Sequence, residues 1–528
     1  MKKIFAISLL SFVAASWQPA LAGGILTNTN QNIVFNRMMA RDAAIGIDGV
    51  YSNPAGVAFL TEGWHLSLNY QYAKQTRTIW TTNPDFMLGM HNNRQEVKKF
   101  EGKADAPCVP SVQIAYNKGK WSLQGNIAIT GGGGQCEFDK GIGSFESAVG
   151  AIANQMATSS QQLNAAGIVS PLIAGYDVDA YMSGKQFYLG FTLGAAYKLT
   201  DNLSVYGGAR LLYGTASYKA RLENIAVTTD LNGGGKMSLV EYFGSVESAL
   251  SNAASQISAG ITQYVGAFMQ AGMTQEEAMQ TPEVQALVKK GQELKETATK
   301  LEESAAQLAP YADGVNLQSD QSGWGIAPVI GIDYKAGDFN FAAKYEFKTR
   351  MRMKNSSTVK EAHAIEALNK FRDGSSVPED QPALFTVGAQ WSVLPNVRVG
   401  AGYHLFFDKS AHWYNHEEKK LDGNTWEWNA GAEWDIIPRL QVSGGFQKTN
   451  YGLSDEYMND MSFVVSSYTY GLGIGYKVSK KVKLNIAYFQ TNYNTYKQNV
   501  TPTMMNHTTH NEYTRTNKVL GIGCDIDF

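Results

Sequence analysis

The sequence lacks any apolar run, after its first 22 residues, that approaches the ~20 residues a membrane-spanning helix needs. Charge is also scarce, at 17% of residues, and 45 basic side chains nearly balance 47 acidic ones. Without a basic surface the chain is not expected to bind nucleic acid. The motifs of serine hydrolases, zinc peptidases and phosphate-binding loops are missing, so we expect neither an enzyme nor a cofactor.

The first 22 residues have the pattern of an export signal. Lys2 and Lys3 supply positive charge, residues 4–13 form a short apolar core, and Ala20 and Ala22 supply the small side chains that signal peptidase accepts. We therefore predict a signal peptide at residues 1–22 and exclude it from the fold. The apolar core is too short to serve as a membrane anchor.

Aromatic residues and glycine are plentiful: 11% of the residues are Phe, Trp or Tyr, 27 of them Tyr, and 52 residues are glycine. Segments of about ten residues alternate apolar with small or polar side chains, as strands of a membrane barrel do. The last segment shows the pattern most clearly, and its apolar positions are Leu520, Ile522, Cys524, Ile526 and Phe528. Fourteen such segments predict an all-β, antiparallel transmembrane barrel over residues 64–528 in the outer membrane of a Gram-negative bacterium.

Short and long connections alternate along the predicted strands. The short ones are rich in Gly, Pro, Asn and Lys and have aromatic neighbours, as turns at a membrane interface do. We therefore place the short turns in the periplasm and the long connections outside the cell. The two longest extracellular loops are predicted at residues 131–185 and 220–323. The longer one contains a helical pattern, and Thr274 with Glu277 forms a capping box.

Residues 23–63 precede the first predicted strand and contain Asn53-Pro54-Ala55. Their small and apolar side chains are unsuited to free solution, and a wide barrel could enclose them as a hatch that plugs the lumen. A hatch carrying this motif directly before fourteen strands resembles the FadL family of outer-membrane transporters for hydrophobic compounds. The resemblance covers the mature chain in architecture, although the motif lies only in the hatch.

The resemblance implies two further sites. A kink in the third strand forms a lateral opening in that family, so Gly125, Gly131 and Gly132 become candidates for such an opening. Extracellular loops form the family's capture site. This makes one helical face a candidate apolar ligand groove, made of Ile257, Ile261, Val265, Phe268 and Met269. The same face could instead be the core of a small packed cap, and both interpretations stay open.

Cysteines and histidines give weaker signals. Cys108 and Cys136 lie on the same extracellular side and could form a disulfide in an oxidising compartment. The pairs His412/His416 and His507/His510 have metal-ligand spacing, but no acidic partner is evident, so we predict no metal site. Pro328 within a predicted strand indicates a bulge or weak pairing.

The sequence thus predicts passive uptake of a long-chain fatty acid or another hydrophobic small molecule, released by hatch movement through a lateral opening. Inward-facing Arg210, Lys344 or Arg398 could pair with a carboxylate. The other expected partners are outer-membrane lipid and lipopolysaccharide. A surface adhesin that binds through its long loops is the main alternative. An aqueous porin is disfavoured by the plug.

Overall fold

The computed structural model describes residues 27–230, 234–308, 314–359, 366–461, 463–501 and 507–528. The predicted signal peptide, residues 1–22, lies outside these ranges, as do the first residues of the predicted hatch.

Fourteen antiparallel strands form a closed sheet, which confirms the predicted strand number. Hydrogen bonds join β1 to β14 from His65 opposite Asp527 to Thr82 opposite His510, so the sheet has no open edge. The strands are β1 (Gly63–Thr82), β2 (Val97–Lys118), β3 (Trp121–Gly132, continued by Gln135–Phe138), β4 (Gly175–Lys198), β5 (Leu203–Thr228), β6 (Val315–Ala336), β7 (Phe339–Glu346, continued by Arg352–Val359), β8 (Leu384–Leu394), β9 (Val397–Phe406), β10 (Trp426–Ile437), β11 (Leu440–Asn450), β12 (Ser467–Lys477), β13 (Val482–Tyr493, continued by Tyr496–Val500) and β14 (Thr509–Asp527). Two short strands, Met237–Ser238 and Ser376–Pro378, lie in the connections.

Side chains alternate along each strand between an apolar outer surface and a polar interior. On β1, for example, Leu68 and Tyr70 are exposed on the outside, whereas Ser67 and Asn69 are buried inside. Closure satisfies the backbone hydrogen bonds that lipid cannot accept. This arrangement, with lipid outside and polar groups inside, is that of an outer-membrane barrel.

The short turns gather at one end of the barrel, where aromatic side chains from neighbouring strands pack together. The ring centroids of Trp121 and Tyr197 are 4.7 Å apart, and those of Phe339 and Trp391 are 5.6 Å apart. Such a ring of aromatic residues marks the membrane interface that we assign to the periplasmic side.

The helices belong to the hatch and to the extracellular loops. They are α1 (Ile33–Arg37), α2 (Gly49–Ser52), α3 (Gly143–Ala165), α4 (Leu239–Gln270), α5 (Gln275–Met279) and α6 (Pro282–Leu308), with 3₁₀ turns at Gly56–Phe59, Pro84–Leu88, Glu366–Phe371, Asp408–Ser410 and Tyr414–Lys420. The capping box of Thr274 and Glu277 begins α5, as predicted. Among the described residues, no helix is long and apolar enough to cross a membrane.

The two longest loops are shorter than predicted, because the strands on either side of them continue beyond the membrane. Gly175 of β4 still pairs with Thr228 of β5, and Leu222 of β5 pairs with Val315 of β6. The connections between the paired ends of these strands are therefore about residues 139–174 and 229–314, and in the second only Met237–Ser238, among its described residues, pairs with a barrel strand. The first contains α3 and the second contains α4 to α6. Helix α3 and the start of α4 bury their apolar faces against the extended strands in one large cap core.

Candidate functional site

Residues 27–60 lie inside the barrel and contact its inner face on several sides. On the β1–β2 side, Asn32 donates to Gln113 at 2.6 Å, and the backbone N–H of Ile33 donates to Asn69 at 3.0 Å. Across the lumen, Arg37 donates to Ser443 of β11 at 3.1 Å. These bonds run from one wall to the other, so the segment has the position expected of a hatch.

Buried charges strengthen this attachment. Arg41 pairs with Asp48 at 2.7 Å within the hatch and with Glu433 of β10 at 3.2 Å. Burial would lower the pKa of Arg41, but Asp48 and Glu433 raise it above its ordinary value, so the guanidinium stays charged. His404 of β9 lies between Asp42 and Glu427, at 2.9 and 2.8 Å. Removing one partner of such a buried pair typically costs about 3–5 kcal/mol.

The Asn53-Pro54-Ala55 motif attaches the hatch to the periplasmic end of three strands. Asn53 donates to Asp333 of β6 at 2.6 Å and accepts from the backbone N–H of Gly56 at 3.1 Å. The carbonyl of Pro54 accepts from Gln124 of β3 at 2.7 Å, and the carbonyl of Ala55 accepts from Ser204 of β5 at 2.7 Å. Each motif residue therefore contacts a different strand.

The barrel wall is interrupted between β2 and β3. Their pairing stops at Ser111 opposite Ala128 and resumes at Asp105 opposite Gln135, which leaves residues 106–110 and 129–134 without hydrogen bonds to each other. Pro107 and Pro110 lie on the β2 side of this gap and have no N–H group to donate. On the β3 side of the gap, residues 131–134 are all glycine, and Gly132 has a φ of 78°. Neither side can complete a regular ladder.

The beginning of the hatch covers this gap. Thr27 forms an antiparallel bridge with Gly131, and the backbone N–H of Asn28 donates to Thr130 at 2.8 Å. The side chain of Asn28 also donates to the carbonyl of Gly132 at 2.8 Å. The hatch therefore donates hydrogen bonds to β3 at the point where β2 makes none to it.

A cavity of about 220 Å³ lies between the hatch, the gap and the extracellular loops. Its lining includes Asn28 from the hatch, Pro110 and Gly133 from the gap, and Met461 from a loop. Its apolar side chains include Phe138, Met182, Val464, Phe489 and Val519, but polar residues such as Gln71, Gln75 and Thr491 form the larger part of the lining. An apolar cavity of about 150 Å³ can hold a benzene molecule, so this one is large enough for a small ring or part of an alkyl chain.

Two arginines face the cavity from the β1–β14 seam. Arg77 and Arg515 are directly opposite each other in the strand register and both line the cavity. Arg515 donates to the carbonyl of Phe463 and to Gln75, at 3.2 and 3.1 Å. Neither arginine has a carboxylate within salt-bridge distance among the described residues. Their Nε atoms are buried and have no hydrogen-bond partner there. The pair therefore retains capacity for an anion.

The three inward-facing cations predicted to meet a carboxylate are already paired. Lys344 contacts Glu346 at 2.7 Å, Arg398 contacts Asp435 at 2.9 Å, and Arg210 also bonds to Glu346. Each of them is thus in an ion pair within the protein, and Lys344 and Arg210 share one carboxylate. Arg77 and Arg515 were not among the predicted site residues, because the sequence alone does not show that the first and last strands place them opposite each other.

Of the three candidate glycines, Gly131 and Gly132 lie at the gap and Gly125 does not. Gly125 is fully paired, with Ile114 on one side and Leu193 on the other. Pro107 and Pro110 of β2 also indicate this gap in the sequence, and the prediction did not use them. The irregular pairing predicted at Pro328 is present, because the β6–β7 ladder ends at the neighbouring residue, Val329.

The predicted ligand groove on α4 is instead a contact between helices. Val265 is buried with Ala278 of α5 and Val284 of α6, and Ile261 and Phe268 pack against the same core. Ile257 packs on the edge of the cap core, and Met269 is exposed. None of the five lines the cavity. An amphipathic helix needs a partner for its apolar face, and here two neighbouring helices supply it.

The disulfide between Cys108 and Cys136 does not form, and both are free thiols. Cys136 is buried and lies opposite Ala104 of β2. Cys108 is exposed and lies four positions further along β2 than Ala104. Four residues of strand span about 13 Å, far beyond the about 7 Å limit between Cα atoms of a disulfide.

One histidine pair acquires an acidic neighbour that the sequence did not indicate. His412 and His416 come together with Glu418, and the three ligand atoms lie within 4.8 Å of one another. The cluster could hold a metal ion, contrary to the expectation that no acid is nearby. The other pair diverges, because His507 contacts Asn83 and Asp85 whereas His510 contacts Asn499.

No protein-family model matches the chain, and no curated protein matches it. Solved structures do. A Pseudomonas aeruginosa FadL homologue is 12% identical, with a TM-score of 0.56 over 96% of this chain and 100% of that one. The Pseudomonas putida toluene transporter TodX is 13% identical, with a TM-score of 0.50 over 95% and 99%. The resemblance to the FadL family is confirmed at the level of the fold: the chain is a fourteen-stranded outer-membrane β-barrel of the FadL type.

Proposed function

We propose that the chain is an outer-membrane channel that takes up hydrophobic compounds bearing a carboxylate, such as long-chain fatty acids. The observation that carries the proposal is the cavity that lies between the loops, the hatch and the gap and is lined by Arg77 and Arg515. The solved relatives support transport of hydrophobic molecules in general, since one is named a FadL homologue and another a toluene transporter.

The arginine pair is the reason to favour a carboxylate over a neutral hydrocarbon. Two guanidinium groups that are opposite each other in the strand register repel, and the rings of Phe463 and Tyr493, at 6.0 and 5.0 Å, offset only part of the cost of removing them from water. A carboxylate can accept from both, and such charge-assisted bonds contribute about 1.5–3 kcal/mol each. The acyl chain would lie against apolar residues such as Phe138 and Phe489, at about 0.8 kcal/mol per buried CH₂ group.

Release would proceed through the gap between β2 and β3. Residues 27–31 of the hatch cover that gap, so their displacement would connect the cavity with the lipid bilayer. The carrier needs no energy source in this scheme, because the molecule follows its own concentration gradient. No cofactor and no catalytic step is part of the proposal.

Binding of oleate, methyl oleate and toluene to the purified protein tests the head-group assignment. Arg77→Gln removes a guanidinium that makes no hydrogen bond in the described part of the chain. It should weaken oleate binding roughly tenfold or more, the value of one charge-assisted bond, and leave the two neutral compounds unchanged. Arg221→Gln, an exposed cation elsewhere, is the matched control and should have no effect.

Two results would contradict the proposal. Equal binding of oleate and methyl oleate, unaffected by Arg77→Gln, would show that the two arginines do not bind the carboxylate. Unimpaired oleate uptake by cells that lack the protein and any related channel would remove the transport function itself.

A surface adhesin remains the second candidate, favoured by the hairpin of α4 and α6. The core that buries Tyr242 and Leu250 includes barrel residues, whereas the core around Val265 contains only residues of α4, α5 and α6. The distal half of the hairpin is thus a separate unit, with exposed Tyr264 and Met273. Deleting residues 258–288 should abolish adhesion but spare oleate uptake if this alternative is correct.

A further inference from the structure

A second break in the wall lies between β6 and β7, on the lipid-facing side. Pairing of these strands ends at Val329 opposite Glu346 and resumes at Ser322 opposite Lys354. Between these pairs β6 has six residues, 323–328, and β7 has seven, 347–353. Between the two ladders, β7 therefore contains one residue more than β6. An unmatched residue reverses the direction of every side chain that follows it.

This reversal turns a run of cations outward. Before the break, even-numbered side chains of β7 face the lumen, and Lys344 and Glu346 are buried. After the break, odd-numbered Met351 and Met353 are buried instead. The even positions there carry the basic residues, and Arg350, Arg352 and Lys354 are all exposed. Without the extra residue, these charges would point into the lumen.

The cations line a groove at a defined height on the barrel. Trp324 of β6 and its register partner Tyr213 of β5 line the groove and are exposed outward. Ten positions separate Trp324 from Tyr334 at the periplasmic end of β6. In a strand tilted by about 40° ten residues rise about 25 Å, which is the height of the apolar band of such barrels. Trp324 therefore marks the outer interface, and Lys354, paired with Ser322, lies just above it.

The groove has an excess of positive charge. Its four cations are Lys348, Arg350, Arg352 and Lys354, and its only acid is Asp380. Asp380 contacts Lys348 at 3.6 Å and accepts from the backbone N–H of Met351 at 3.0 Å. Arg352 donates to the carbonyl of Ser376 at 2.6 Å. Within the described part of the chain, the side chains of Arg350 and Lys354 make no hydrogen bond or ion pair, in contrast to those of Arg352 and Lys348.

We infer that this groove is a binding site for the phosphorylated head group of lipopolysaccharide. The outer leaflet presents phosphates just above the acyl chains, at the height of Arg350 and Lys354. Guanidinium and ammonium groups are the usual ligands of phosphate in proteins. The acyl chains would lie on the apolar belt below, against Trp324 and Ile326, both exposed. The site is separate from the cavity and does not depend on the transport function.

The test compares lipid A with its dephosphorylated form, on purified protein in detergent by native mass spectrometry. Each cation near an anionic lipid surface contributes roughly fivefold in affinity, so Arg350→Gln/Lys354→Gln should bind lipid A about 25-fold more weakly. Lys103→Gln/Lys497→Gln is the matched control, since both residues are exposed on strand extensions far from the groove. It should bind lipid A like the parent protein.

Three outcomes would overturn the inference. Binding of dephosphorylated lipid A as tight as that of lipid A would mean that only the apolar belt is recognised. Equal loss of lipid A binding in both double variants would mean that overall charge matters and the groove does not. Complete displacement of lipid A by inorganic phosphate at micromolar concentration would make the groove a site for free phosphate.

Discussion

The link between Asn53 and Asp333 offers the sharpest test of how the hatch is held. Asn53 donates to Asp333 at 2.6 Å and to the carbonyl of Ala44 at 3.3 Å, and it accepts from Gly56 at 3.1 Å. Asn53→Ala removes all three bonds, although Asp333 still accepts from Asn340 at 2.8 Å and the N–H of Gly56 still donates to the carbonyl of residue 53 at 3.0 Å. At about 2 kcal/mol for the bond to the carboxylate and about 1 kcal/mol for each of the two others, the local stability of residues 44–56 should fall by about 4 kcal/mol.

Hydrogen exchange measures this loss directly. A decrease of about 4 kcal/mol should reduce the protection of residues 44–56 roughly a thousandfold, while the strands keep theirs. Asn485→Ala is the matched control, because Asn485 donates at 2.7 Å to a carboxylate on a neighbouring strand, Asp525, and its loss should not affect the hatch. Unchanged protection of residues 44–56 in Asn53→Ala would refute the role assigned to the motif.

Two further predictions concern the gap and one extracellular loop. In a background without native cysteines, Thr27→Cys/Gly131→Cys should form a disulfide that blocks oleate uptake until a reductant is added, because these residues are bridge partners. Burial raises the pKa of Asp408 from 3.8 to about 6, so the folded loop binds this proton more tightly than the unfolded one. The stabilisation is full below about pH 4 and is lost as the pH rises through 6, about 3 kcal/mol in total. Hydrogen exchange of residues 408–425 between pH 4 and 7.5 should show this trend, and Asp408→Asn should remove it.

The strands could be predicted because their signal is local. Alternation at Leu520, Ile522 and Ile526 reports one lipid-facing surface, and no knowledge of other strands is needed to read it. The hatch could be placed because both its position and its Asn53 motif lie in one short segment. The end of a strand is less visible, since β4 and β5 continue past the membrane only because each has the other as a partner.

The breaks in the wall could not be predicted from either strand alone. The gap beside Gly132 requires that Pro107 and Pro110 lie opposite it, which depends on the register between two strands. The outward turn of Arg350 depends on one unmatched residue, and the sequence pattern of β7 up to Phe347 gives no sign of it. Likewise, Cys108 and Cys136 share a side of the membrane, but their separation along β2 is a matter of register.

The distribution of bonds within the hatch limits which part of it can move. Residues 33–57 are held by buried contacts that include Arg41 with Glu433, Asp42 with His404 and Asn53 with Asp333. Breaking several of these at about 3–5 kcal/mol each would exceed the thermal energy many times over. The segment over the gap, by contrast, depends largely on neutral hydrogen bonds, such as those of Asn28 to β3. Each contributes only about 1 kcal/mol. Under the proposed release route, a ligand would need to displace only residues 27–31 to reach the bilayer, and the rest of the hatch would keep the lumen closed to water.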